Sequence, residues 1–418
     1  MAPPAPTPLP PEERYSWRLQ GSIYAAGFFN GNLFNMVAIV MPLWALALGA
    51  SPLMIGIILG SRQAMLIFLA IHGGALMDRF GARSVIVVMG FIGVISMALF
   101  PVFPFAAAAI ALQMLSGLAE SVSWIGVQAL VGQAMKGNAT YTGRMTFVAR
   151  IGGFIGPPMI GGAWDLWGHW GGFAFLTVWV AAGWLAAWLV PDFGERKPAD
   201  REATPPPKTT LIDLLPRLSD YMETFRLMAY AGVALVVVAT VTRQMGSGVQ
   251  ATFYVVWLNQ IDISGTAIGT LFSLSSALSA VAALAVGPAA RRFNRYWLLL
   301  FWVLASILCM AVTPLLGPYW LIAAVIGLRG IAQGFNLPLL ISIMSQAVAP
   351  QDQAKAVALR ITVNRVNALA VPVLMGAIAE YAGLEYSFYV VGALGVACLA
   401  ALAVWVARSP EFRDEARR

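Results

Sequence analysis

Two stretches decide the fold: residues 150–175, RIGGFIGPPMIGGAWDLWGHWGGFAF, and residues 365–390, RVNALAVPVLMGAIAEYAGLEYSFYV. Set together, 215 positions apart, they place Pro157 on Pro372, Gly161 on Gly376, Asp165 on Glu380, Gly168 on Gly383 and Phe173 on Phe388. Working outward, an offset of 213 places Trp44 on Trp257, Ser51 on Ser264 and Gly56 on Gly269. It also sets residues 115–120, LSGLAE, on residues 328–333, LRGIAQ. Matches in this order, on corresponding apolar segments, read as an internal duplication.

The composition says what is duplicated. Of 418 residues, 59% are hydrophobic and only 11% are charged, against roughly 25% charged in soluble chains. Soluble enzymes, disordered chains and nucleic-acid binders are excluded together. A bilayer-spanning helix needs about 20 apolar residues, and the chain breaks into twelve such segments. They are expected at 20–46, 52–76, 84–103, 105–135, 143–164 and 171–190, then at 227–258, 265–289, 297–316, 318–348, 361–381 and 386–407. The expected domains are a tail at 1–19, a six-helix bundle at 20–190, a linker at 191–226, a second bundle at 227–407 and a tail at 408–418. In the linker, Leu211, Leu214, Leu215, Leu218, Tyr221, Met222 and Phe225 share one helical stripe. This reads either as an amphipathic helix on the membrane surface or as an extension of span seven.

The net charge of +7 is mostly topology. Arginine and lysine crowd the tails and the even-numbered connections and are missing from the odd-numbered ones. The positive-inside rule then places both termini in the cytoplasm, with the inner membrane as the expected location. Two cysteines and two histidines form no metal or disulfide pattern, no GxxxxGK[ST] is present for ATP, and no cofactor is expected.

The connection after span two reads Gly74-Ala-Leu-Met-Asp78-Arg79-Phe80-Gly81-Ala82-Arg83, and its counterpart after span eight reads Gly287-Pro-Ala-Ala-Arg291-Arg292-Phe293-Asn294-Arg295. The first resembles the loop signature of the major facilitator superfamily, with a basic residue lost at Ala82; the second keeps the basic residues and loses the acid. The resemblance covers nearly the whole chain. It implies an all-α membrane protein with the major facilitator fold: two pseudo-symmetric six-helix bundles around a central cavity, rocking in alternating access. Asp78, Arg79 and Arg83 would then help close the cytoplasmic side. Residues 152–162, GGFIGPPMIGG, loosely resemble the glycine-proline motif of drug/proton antiporters, with one residue too many between Gly-Pro and Gly-Gly. That slightly favours efflux; the other reading is simple helix packing.

Charge inside a span is costly, about 2.5–3.5 kcal/mol per residue at the bilayer centre. Arg62, Arg150, Arg243, Arg329, Arg365 and Glu120 must therefore face the bundle interior. The resemblance implies that spans one, four, seven and ten line the cavity, and polar residues recur there at helical spacing. Asn32 and Asn35 lie on span one, and Gln113, Ser116, Glu120 and Ser123 on span four. Span seven carries Arg243, Ser247, Gln250 and Tyr254, and span ten carries Arg329, Gln333 and Asn336. Positive charge exceeds negative, so a carboxylate, phosphate or sulfonate fits as counter-ion. Asn32, Asn35, Arg243, Gln250, Tyr254, Arg329, Gln333 and Asn336 are the expected solute ligands. Arg62 either joins them or pins helices.

Glu120, the one acid deep in a span, is the expected proton carrier: a carboxyl that alternates between apolar surroundings and an arginine changes its hold on a proton. The repeat mates Arg150 and Arg365 suit a cytoplasmic gate, and Asp165 and Glu380 suit gating or capping on the opposite side. The expected partners are a small anionic or zwitterionic organic solute, protons and the lipid bilayer, with no nucleic acid and a monomeric chain. The alternatives are an antiporter for amphipathic drugs, a lipid flippase and a transporter-like sensor.

Overall fold

A computed structural model describes residues 15–67, 69, 77, 80–135, 138–191, 225–349 and 352–414. Asp78, Arg79 and the amphipathic stripe up to Met222 lie outside the described residues. The described residues are helical throughout their ordered elements, with no strand among them. Among the described residues, ten helices are long and apolar enough to cross a membrane, and Pro52–Ile67 adds a shorter one. One of the ten, Thr140–Trp188, is two spans joined across Gly168, so the described residues account for twelve crossings. Apolar side chains such as Val178, Leu284 and Phe301 are exposed on the outside, as lipid contact demands.

Spans one and seven are each broken. Span one comprises Trp17–Asn30 and Leu33–Ala47. At its break the Asn32 amide donates to the Ala149 carbonyl of span five, and Gly31 packs against the Ala149 methyl. Span seven comprises Ala231–Gln250 and Phe253–Gln260. The hydrophobic pattern runs through both breaks, which is why each reads as one uninterrupted segment. The expected connections after spans five and eleven shrink to single glycines. Gly168, with φ +58°, turns span five into span six. Gly383, with φ +102°, separates Gln353–Ala382 from Leu384–Arg408. Only a residue without a side chain enters this region freely.

The duplication is visible in three dimensions. The mates Trp44 and Trp257 meet the mates Phe173 and Phe388 edge to face, with ring centroids 5.3 and 6.4 Å apart. Ser51 and Ser264 cap spans two and eight, accepting from Met54 N–H at 3.4 Å and Ala267 N–H at 3.3 Å. Gly49 and Asp262, also mates, both take positive φ.

The halves meet along two seams, span five on span eight and span two on span eleven. A methyl group on Gly161 or Gly269 would overlap the carbonyl of Gly265 or Pro157. On the other seam, a methyl on Gly56 would overlap the carbonyl of Pro372, and one on Gly376 would come within 2.5 Å of the Pro52 carbonyl. These are the small residues that announced the repeat. Within the glycine-proline stretch, Gly161 packs on the other half, whereas Gly152, Gly153 and Gly156 pack on span one of their own half.

Candidate functional site

Where the seams end, the halves part around a cavity of about 690 Å³, within the size range of small-molecule sites. Of the expected ligands, Asn32, Asn35, Arg62, Arg243, Gln250 and Gln333 line it. Arg150 lines it too, on the first turns of span five beside Phe147 and Phe154. Its repeat mate Arg365 is not among the lining residues, so the two arginines that look equivalent in sequence occupy unequal environments. No aspartate or glutamate lines the cavity among the described residues.

Arg62 is buried on span two, with its guanidinium 5.3 Å from the Phe34 ring. It forms an ion pair with Glu120 of span four. Gly117 makes this possible: a methyl there would sit 2.7 Å from Arg62 Cγ. Arg62 lines the cavity whereas Glu120 does not. Arg243 donates to the amide oxygens of Gln244 and Asn364, at 3.2 and 3.3 Å. These neutral partners bridge spans seven and eleven and leave the guanidinium's charge in place.

Arg329 departs from expectation. It is fully buried and is not part of the cavity wall. Its guanidinium donates to the Gln250 carboxamide oxygen and to the Gly246 carbonyl at 3.1 Å. With its oxygen turned to these donors, Gln333 accepts from both Nη atoms at 2.6 and 2.9 Å. Tyr254 and Asn336 are likewise buried away from the cavity. The helical stripe predicts a shared face correctly, but breaks and tilts carry part of each face into helix packing. Arg83 binds within its own half, donating to the Trp188 carbonyl at 2.8 Å, because span three begins beside the end of span six.

Three contributions escaped sequence reasoning. Ser275, Ser276 and Ser279 of span eight, Asn364 of span eleven and Gln63 of span two also line the cavity. The i, i+4 pair Ser275 and Ser279 within the span was a usable signal. It lies outside spans one, four, seven and ten, to which the resemblance assigns the cavity.

A duplicated helical bundle with a polar cavity between its halves defines a membrane transporter, not an enzyme. The chain belongs to the Major Facilitator Superfamily, whose family model matches residues 23–242 and 236–418. No curated protein matches the sequence. Among solved structures, a D323A mutant of the nucleoside transporter NupG is similar with a TM-score of 0.76 at 14% identity, covering 92% of this chain and 99% of that one. A bacterial homologue of the human lysosomal transporter Spinster, inward-facing and unoccupied, gives 0.72 at 14% identity over 93% and 97%. The peptide transporter POT in complex with sulfate gives 0.70 at 16% identity over 96% and 97%. At these identities the likeness concerns the fold.

Proposed function

We propose that this transporter moves a small anionic or zwitterionic organic solute across the inner membrane, coupled to protons, with export as the direction. One observation carries the substrate class: Arg62, Arg150 and Arg243 line the cavity, and among the described residues no acid does. The carboxylate of Glu120 is engaged by Arg62. Two guanidinium charges stay free for a ligand, and guanidinium favours planar, bidentate anions. Carboxamides and serines supply further hydrogen bonds, while Phe34, Phe147 and Phe154 offer apolar contact.

The same pair supplies a coupling route. A solute anion that engages Arg62 competes with Glu120, and the released carboxylate is then the group to take up a proton. The moving units are residues 20–190 and 227–407, joined by 191–226, with both termini cytoplasmic. Export follows the loose likeness of residues 152–162 to drug/proton antiporters.

Counterflow in proteoliposomes tests the reading, using labelled organic carboxylates, phosphates and sulfonates beside neutral and cationic controls. Anion exchange that is lost in Arg243→Ala supports it. Exchange of cations or neutral drugs alone, or normal anion transport by Arg243→Ala, rejects it.

A further inference from the structure

Arg329 has an unusual environment for a full charge. It is completely buried, and among the described residues its hydrogen-bond partners are neutral: Gln250, Gln333 and the Gly246 carbonyl. Its Nε is buried with no hydrogen-bond partner among the described residues. Such a charge is expensive to keep in place. The repeat sharpens the contrast, because the register of Gln333 is that of Glu120 in the first half. There the acid neutralises Arg62. Here an amide leaves the arginine's charge uncancelled.

An arginine offers only donors, whereas a carboxamide offers an oxygen acceptor and an NH2 donor. Any glutamine bonded to Arg329 must therefore present its oxygen to the guanidinium and turn its NH2 away. Gln250 on span seven and Gln333 on span ten both do this, and both line the cavity that Arg329 does not reach. We infer that Arg329 is a specificity-determining positioning residue that locks two cavity-wall glutamines with their donors toward the solute. The inference rests on the proposed anion site. A free carboxamide can turn by half a rotation and serve donor-rich or acceptor-rich ligands alike; a carboxamide held by Arg329 serves acceptors only. Selection against cationic and donor-rich solutes thereby arises from a residue that never touches them.

The test compares affinities of the full-length protein in detergent, read from melting-temperature shifts in chloride-free buffer. The probes are sulfate, citrate and p-aminohippurate, with p-aminohippuramide as the neutral counterpart of the last. Gln250→Glu is the informative variant, because it keeps the shape and the bond to Arg329 while replacing the outward NH2 by an oxygen. It should fold at least as stably as the parent, yet lose about tenfold or more in anion affinity relative to the amide, the scale of one charged hydrogen bond. Arg329→Met should lower the same anion-to-amide ratio. Adding Gln250→Leu to it should lower the ratio little further, since the glutamine is already unlocked.

A merely structural arginine makes a different prediction: Arg329→Met lowers the melting temperature without changing the ratio. That result overturns the inference, as does an unchanged ratio in Gln250→Glu. Should Arg329→Met fail to fold, Gln250→Glu and Gln333→Leu decide by the same ratio. If the unaltered protein responds to none of the three anions, the anion-site reading falls, and this inference falls with it.

Discussion

Asp165, at the far end of span five, closes the N-terminus of span eight through Thr266: its Oδ2 accepts from the Thr266 N–H at 2.8 Å and from its hydroxyl at 2.6 Å. The other carboxylate oxygen accepts from Gly265 N–H at 2.7 Å. The mate of Asp165, Glu380, reaches the N-terminus of span two and accepts from Leu53 N–H at 3.1 Å. Each half thus caps a helix of the other, where unpaired amides and the helix dipole favour an anion. The caps belong to the seams that must part if the cavity is to open on that side.

Removing a cap costs about 0.5–2 kcal/mol, so Asp165→Ala should shift the balance of closed and open seams by about fivefold toward open. Glu380→Ala should act in the same direction but less, having one bond to lose rather than three. Spin-label distances between the ends of spans five and eight measure the shift. Equal distance distributions in the variants and the parent would show that the caps do not hold the seam.

The glycines of the seam make a second prediction. Gly161→Ala places a methyl against the Gly265 carbonyl and should lower stability by about 1–3 kcal/mol, the usual cost of overpacking. Gly132→Ala has nothing within 4 Å and should be neutral or gain up to about 1 kcal/mol from helix propensity. Thermal unfolding of both proteins in one detergent makes the comparison. Equal melting temperatures would argue that the seam relaxes at no cost.

For Arg62 and Glu120 the prediction is a coupling. Removing one partner of a buried pair costs about 3–5 kcal/mol, because the other charge stays behind. Arg62→Met and Glu120→Leu should each be strongly destabilised, and the double variant less so than either. A double-mutant cycle on unfolding midpoints reads the interaction directly; additive losses would mean that the pair does not act as a unit.

Arg150 and Arg365 are equivalent in the repeat but not around the cavity. Arg150→Ala should weaken anion binding several-fold and reduce its dependence on ionic strength, as loss of a solvent-accessible positive charge predicts. Arg365→Ala should leave both unchanged. Titrations with p-aminohippurate at low and high salt would show this difference, and equal losses would contradict it.

Much of this molecule is readable along the chain because its causes are local or repeated. The number of crossings follows from apolar run length, and the duplication from Gly56, Pro157, Gly161 and Asp165 with their mates. The presence of a charged interior follows from the cost of burying arginine. The spans that line the cavity are only half legible. Asn32, Arg243, Gln250 and Gln333 lie where helical spacing puts them, but Tyr254, Arg329 and Asn336 share those stripes and face other helices. Periodicity gives a direction around a helix axis, not what stands opposite.

By itself, then, the sequence determined the class, the repeat and the inventory of buried charge. Tertiary structure alone decided the partners: Glu120 for Arg62, two glutamines for Arg329, and Thr266 for Asp165. Those choices depend on how helices distant in sequence are rotated and broken against one another, and on where a glycine lets two backbones touch. No local pattern encodes such distances, which exist only after the two halves have packed.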